Sequence, residues 1–122
     1  MSIHVSLMLA VEDAPEAAGW YKRAVGATEL WNLGGVVGLA IDGAPFFLHE
    51  PTQGFVSPGD CGATAVRVEV FVDDPDTFVR RAIEAGADGS ADAVRRGFRD
   101  PFGRTWLVGD KTPLEPFPRE SK

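Results

Sequence analysis

Cysteine is almost absent from this sequence: Cys61 is the only one. A single thiol excludes a disulfide framework and a cysteine-rich zinc site. Its surroundings, Ser57-Pro58-Gly59-Asp60 before it and Gly62 after it, read as a loop with no histidine close by to activate the sulfur. Positive charge is also in short supply. Twelve Lys and Arg against 18 Asp and Glu leave a formal charge of −6. That is the wrong sign for a nucleic-acid or anionic-membrane footprint, which needs clustered basic side chains. It suits solubility and favours a neutral or cationic small ligand. No apolar run approaches the length that spans a bilayer. The opening Met1-Ser2-Ile3-His4 lacks the basic region and apolar stretch of a signal peptide, so a cytoplasmic protein is expected. A phosphate-binding glycine loop, a serine nucleophile elbow and a dinucleotide fingerprint are missing as well.

What is present is ordinary in amount and unusual in arrangement. The 122 residues, 44% hydrophobic and 25% charged, fit one domain covering 1–122, large enough to bury a core without metal or disulfide. Within it the chain repeats. Val11-Glu12-Asp13-Ala14-Pro15 resembles Val72-Asp73-Asp74-Pro75-Asp76, an offset of 61. The helices that follow end in Lys22-Arg23-Ala24-Val25-Gly26-Ala27 and Arg80-Arg81-Ala82-Ile83-Glu84-Ala85-Gly86-Ala87, where the two terminating glycines are 60 apart. The same offset of 60 relates Gly43-Ala44-Pro45-Phe46-Phe47-Leu48 to Gly103-Arg104-Thr105-Trp106-Leu107-Val108. Two modules, residues 3–50 and 63–109, therefore account for the chain up to a proline-containing tail, 110–122.

Each module reads in the same order. Ile3–Val11 is apolar and extended, a strand. Asp13 is placed to cap a helix with Pro15 in its first turn and Gly26 at its stop. Strands are expected at Thr28–Leu33, Val36–Ile41 and Pro45–Glu50, turned by Gly34-Gly35 and Asp42-Gly43. After the loop Pro51–Gly62, the strand Thr64–Val72 leads into a helix capped by Asp74 with Pro75 first, and Gly86 lies beyond its end. Asp100-Pro101-Phe102-Gly103 has Pro and Gly where a type I turn prefers them, and Trp106 lies in the closing strand. The fold class is α+β: two tandem βαβββ modules of antiparallel-rich sheet with helices on one side.

Tandem βαβββ modules, with Val11-Glu12-Asp13, Trp20-Tyr21 and Gly26-Ala27 at the front and Arg99-Asp100-Pro101-Phe102-Gly103-Arg104-Thr105-Trp106 towards the end, resemble the vicinal-oxygen-chelate superfamily of glyoxalase I, extradiol dioxygenases and bleomycin-resistance proteins. The resemblance spans residues 3–109, and in many relatives a His takes the place of Arg104. It implies that each module curls into a cup with its helix outside, that cups form in a homodimer, and that metal-dependent members place ligands on the first and last strands of each module. A shared fold does not transfer an activity, since the superfamily hosts many.

Alternation locates the cup faces. Val66, Val68, Val70 and Val72 form one uniformly apolar face suited to packing on helices, which turns Arg67, Glu69 and Phe71 to the cup. By the same rule Val5, Leu7, Leu9 and Val11 face the helix, leaving His4, Ser6, Met8 and Ala10 opposite. The resemblance puts a metal-ligating carboxylate four residues after Gly103, which is Leu107 here, and the repeat pairs it with Phe47. The four metal-equivalent positions are then Ser6, Phe47, Arg67 and Leu107. Two are hydrocarbon, one is a weak neutral oxygen, and one is a permanent cation. No metal site and no cofactor are expected. Reading the fourth strand one residue out of register exchanges His49 for Glu50, which does not restore a ligand quartet.

The candidate ligand-binding residues are Trp31, Phe47, His49, Arg67, Glu69, Phe71 and Leu107, an apolar lining with a few polar groups. Arg67 and Glu69 either pair with each other or meet a ligand. His49 is either a general acid–base group or a polar strand-end residue. Trp20 and Trp106 are read as core, while Trp31, just before Gly34-Gly35, is the better ligand wall. Arg95, Arg96 and Arg99 form a basic cluster that reads as solvated. The leading expectation is a cytoplasmic homodimer that sequesters a small aromatic or cationic compound, an antibiotic included, without metal. The rival is a lyase, isomerase or dioxygenase-like enzyme with a displaced metal site or with acid–base groups such as His49 and Glu69. A third possibility is a small interaction module whose cup is filled by its own side chains. No nucleic-acid or membrane partner is expected.

Overall fold

Each half of the chain folds as strand, helix and three further strands, and each carries the same helix punctuation: an Asp cap, a proline in the first turn and a glycine at or just beyond the end. The computed structural model describes residues 3–52, 67–90 and 96–111. Cys61 with most of its loop, Val66, Arg95 and the tail from residue 112 lie outside the described residues. The first module comprises β1 (Leu7–Ala10), α1 (Ala14–Val25), β2 (Thr28–Asn32), β3 (Val36–Ile41) and β4 (Ala44–His49). The second comprises β5 (Arg67–Phe71), α2 (Pro75–Glu84), β6 (Asp88–Ser90), β7 (Gly97–Arg99) and β8 (Thr105–Gly109). The strands make two separate sheets, in the orders β1-β4-β3-β2 and β5-β8-β7-β6. In each, the first and last strands of the module pair in parallel and the other pairs are antiparallel. Among the described residues, no helix is long and apolar enough to cross a membrane.

Local chemistry explains the boundaries. The Asp13 carboxylate accepts from the Glu16 N–H at 3.0 Å, and Gly26 ends α1 in the left-handed region at φ 71°. That conformation costs a glycine nothing. Asp74 repeats the cap on α2, accepting from the Thr77 N–H and hydroxyl. The Thr77 hydroxyl bond is the main cause holding the Asp74 carboxyl below its usual range. Asp42 and Gly43, at φ 49° and 83°, make the β3–β4 turn that an Asp-Gly pair favours.

One expectation needs correcting. The opening strand was expected from Ile3, yet β1 begins at Leu7, and Ile3–Ser6 are exposed. The register pairs Leu7 with Phe46, so Ser6 would fall beside Pro45. Proline has no N–H to continue a ladder, and the pairing stops there.

The helix-facing sides of both sheets share one core with α1. Its apolar residues recur at helical spacing, and Ala14, Ala17, Ala18, Trp20, Tyr21, Ala24 and Val25 are all buried. The Tyr21 ring lies 5.4 Å from Phe46 of the first sheet and 5.6 Å from Trp106 of the second, so one side chain touches both modules. Trp106 in turn stacks on Phe98 at 5.6 Å. Core packing is thus the role of Trp20 and Trp106, at 4% and 1% exposure.

Polar groups lock the same joint. Asp100 is buried, and four donors converge on its carboxylate. The Tyr21 hydroxyl and the Trp106 indole N–H donate to Oδ2, and the Phe102 and Arg104 amides donate to Oδ1 at 2.9 Å. Arg104, also buried, reaches across to the Ala10 carbonyl at 3.1 Å. The helices are tied end to end: the Trp20 indole donates to the Ala85 carbonyl at the C-terminus of α2, and Arg81 donates to the Arg23 carbonyl at the C-terminus of α1. A guanidinium there also meets the negative end of the helix dipole.

Two outcomes follow from this joint. Asp100→Asn turns an amide donor toward a cluster built wholly of donors, and should lower unfolding stability by about 3 kcal/mol in a urea titration with unchanged slope. Tyr21 is the only tyrosine. Burial first, and the Asp100 charge second, raise its pKa well above 10.0. Because the folded value exceeds the unfolded one, this contribution is complete below about pH 10 and lost as pH rises beyond it. Ultraviolet difference absorbance should therefore show tyrosinate only as the protein unfolds in alkali, and ionisation in the folded state at the ordinary pH would refute the coupling.

Candidate ligand-binding site

On the face of each sheet opposite the shared core, the cross-strand registers bring the expected residues into rows. In the first sheet Met8 lies beside Phe47, Phe47 beside Gly38, and Gly38 beside Trp31. The Trp31 and Phe47 rings sit 5.3 Å apart, with Trp31 38% exposed. They lie over Gly38, where a Cβ would come within 2.4 Å of the indole. Only glycine leaves room for the ring at that distance.

A bulge puts Trp31 in this row. Glu29 pairs with Leu39, and the next pairing is Trp31 with Gly38, so Leu30 is skipped. Without that skipped residue Leu30 would face Gly38 and Trp31 would turn to the other side, because a slip of one residue exchanges the faces of a strand. The sequence contains no turn or glycine signal at Leu30 that marks the bulge.

His49 is half-buried at the end of β4, and its Nδ1 contacts the Glu50 carbonyl. The neighbouring Glu50 carboxylate accepts from the Ala14 N–H at 2.9 Å. It anchors the N-terminus of α1, where negative charge is favoured. That role, like the bonds of Tyr21 to Asp100 and of Arg104 to Ala10, is not apparent from spacing, since those partners are far away in the chain.

The second sheet repeats the pattern with different chemistry. Glu69 lies beside Leu107 and Leu107 beside Gly97, while Arg67 pairs with Thr105 and Phe71 with Gly109. Arg67 and Glu69 are exposed, Phe71 and Leu107 half-buried, and Val68 is buried in the core as the alternation predicts. Among the described residues Arg67 and Glu69 form no ion pair with each other. Of the basic cluster, Arg96 pairs with Asp76 at 3.0 Å and Arg99 is exposed. The seven expected residues therefore form two groups: Trp31, Phe47 and His49 on one sheet, and Arg67, Glu69, Phe71 and Leu107 on the other. Within one chain each sheet presents its own half of the lining.

This two-module architecture matches the glyoxalase-like domain over residues 6–108. The chain belongs to that family. It is thereby placed in the vicinal-oxygen-chelate superfamily. A Mycobacterium bovis relative, the uncharacterized protein Mb0911c, is 30% identical over 119 residues, covering 83% of this chain and 78% of its own. Among solved structures, TioX from Micromonospora sp. ML1 superposes with a TM-score of 0.69 at 24% identity, covering 88% of this chain and 97% of that one. The fosfomycin resistance protein FosX from Listeria monocytogenes, complexed with Mn(II) and sulfate, superposes at 0.67 with 15% identity and 90% coverage of both chains.

The metal of such relatives does not fit this donor set. Ser6 is exposed ahead of β1, Phe47 and Leu107 offer only hydrocarbon, and Arg67 brings a positive charge. Among the described residues no three His, Cys, Asp or Glu side chains are placed to hold a metal ion. What the faces offer instead is a stacked aromatic surface on one sheet and a cation with a carboxylate on the other. Gly38→Ala should push the indole off this surface, raising acrylamide quenching of tryptophan fluorescence at a stability cost of about 1 kcal/mol. An unchanged quenching constant would show that Trp31 does not rest on Gly38.

Proposed function

We propose that the protein binds a small ligand with an aromatic or apolar body, without a metal, in a cup completed by a second copy of the chain. The observation that carries this reading is the Trp31–Phe47 pair resting over Gly38, with Phe47 at a position that the superfamily resemblance gives to a metal ligand. Aromatic faces of this kind stack on planar ligands or accept a cation. Net negative charge favours cationic compounds over anionic ones.

The second copy is supported by what one chain leaves uncovered. Met8, next to Phe47 in the register, is exposed, and Ile3, Val5 and Leu33 are exposed to 84%, 84% and 78%. Exposed apolar side chains adjoining an aromatic surface are the material of an association face. A partner could bring Arg67, Glu69, Phe71 and Leu107 of its second sheet over the aromatic half, making a mixed pocket from two incomplete ones. A homodimer of this form, acting in the cytoplasm to sequester an antibiotic or similar compound, fits the fosfomycin-resistance name of one neighbour. The enzymatic alternative would use a displaced metal site or acid–base groups such as His49 and Glu69; these two stand on different sheets of one chain, and the proposed second copy would bring them to one cup.

Titration with bleomycin and a panel of aromatic amine antibiotics, followed by tryptophan quenching and by elemental analysis of the dialysed protein, tests the reading. Trp31→Ala and Phe47→Ala should each weaken binding about tenfold, or about 1.4 kcal/mol, with the unfolding midpoint little changed. Stoichiometric retention of manganese or zinc, or binding by both variants as tight as that of the unaltered protein, would overturn it.

A further inference from the structure

A second concavity lies on the opposite side of the same sheets. Its volume is about 390 Å³, within the range of small-molecule sites. Leu7 and Leu9 of β1, Phe46 of β4, Val68 and Val70 of β5 and Trp106 of β8 line it, and Glu69 and Phe71 of β5 border it as well. The first six have side chains that alternate away from the row that contains Phe47, Arg67 and Leu107. The cavity therefore lies between the modules, and its wall is shared: Phe46 and Trp106 are 6.0 Å apart, one from each sheet. β1 and β5 are terminal strands of their sheets, so the opening runs between two strand margins.

The charges at the opening are mainly acidic. Asp42, at the β3–β4 turn, and Asp73, after β5, both border it with Lys111. Lys111 is 3.2 Å from Asp73 and neutralises it. Asp42 and Glu69 are left as the carboxylates available to an incoming charge. An apolar chamber bordered by uncommitted carboxylates selects for a hydrocarbon or aromatic body ending in a protonated amine.

We propose that this inter-module cavity is a second ligand site, across the sheets from the Trp31–Phe47 surface, and that it takes small apolar organic cations. Trp106 in its wall makes occupancy visible in fluorescence. Desolvation of the ligand body supplies most of the affinity, and Asp42, being exposed, contributes charge preference more than strength.

Acridine orange, a planar cation, and anilinonaphthalene sulfonate, an anion of similar size, are suitable probes on the full-length protein. Acridine orange should quench Trp106 and bind at least about tenfold more tightly than the sulfonate. Ala44→Trp, which places a bulky ring at the exposed mouth, should weaken that binding about tenfold, whereas Phe47→Ala should leave it unchanged. Val70→Phe provides an independent filling of the chamber if the first variant proves unstable. Asp42→Asn, which keeps a residue tolerant of the positive φ of this turn, should reduce the cation preference severalfold without altering the thermal midpoint. Binding that is lost with Phe47→Ala yet unaffected by both filling variants would put the dye in the cup and overturn this site while sparing the cup. Equal binding of the two dyes, or of neither, would overturn it too.

Discussion

The structure depends on a single buried carboxylate. Asp100 gathers a hydroxyl and an indole N–H on one oxygen and two backbone amides on the other. One of those donors comes from α1, in the other module. A buried charge is tolerable only when its lone pairs are occupied, so Asp100 demands that Tyr21, Trp106 and its own turn be in place together. The two modules have separate sheets, and this cluster, with Arg104 on the Ala10 carbonyl, holds them to one geometry. Apolar packing around Tyr21 supplies the bulk of the attraction, and the directional bonds decide the alignment.

Much of the fold could be read from the chain because the information was local. Asp13 and Asp74 announce helix starts, Gly26 a stop, and Asp42-Gly43 a tight hairpin, each through a bond or dihedral within a few residues. The alternation of Val68 and Val70 against Arg67 and Glu69 placed the core face of β5 with no knowledge of its neighbours. What could not be read depends on partners distant in sequence. The truncation of β1 arises from Pro45, thirty-odd residues on. The burial of Asp100 requires Tyr21, 79 residues away. Leu30 bulges because of how β2 meets β3, and an alternating pattern does not show where a strand will skip. The two modules and the faces of their strands were therefore legible, but the face that Trp31 takes was not, because the skipped Leu30 sets it.

The repeat also shows how a duplicated unit diverges. Gly38 and Gly97 occupy equivalent rows, but Gly38 makes room for the Trp31 ring whereas Gly97 makes room for the Trp106 backbone carbonyl. Phe47 and Leu107 fill equivalent positions with hydrocarbon. Met8 and Glu69, also equivalent, differ in polarity. One module thus offers an aromatic surface and the other a charged one, so two identical chains contain both halves of an asymmetric pocket.

The outward orientation of those halves has a thermodynamic consequence. In the proposed two-chain cup, a compartment assembled from two polypeptides would exist only in proportion to their encounter, so occupancy would depend on how much protein the cell makes as well as on the compound present. By linkage, whatever lodged between two such chains would strengthen their union to the same degree that the union strengthened its retention. Scarce protein would ignore a trace of compound, and abundant protein would hold it firmly. Expression level would then set the threshold of response, with no separate regulatory element needed.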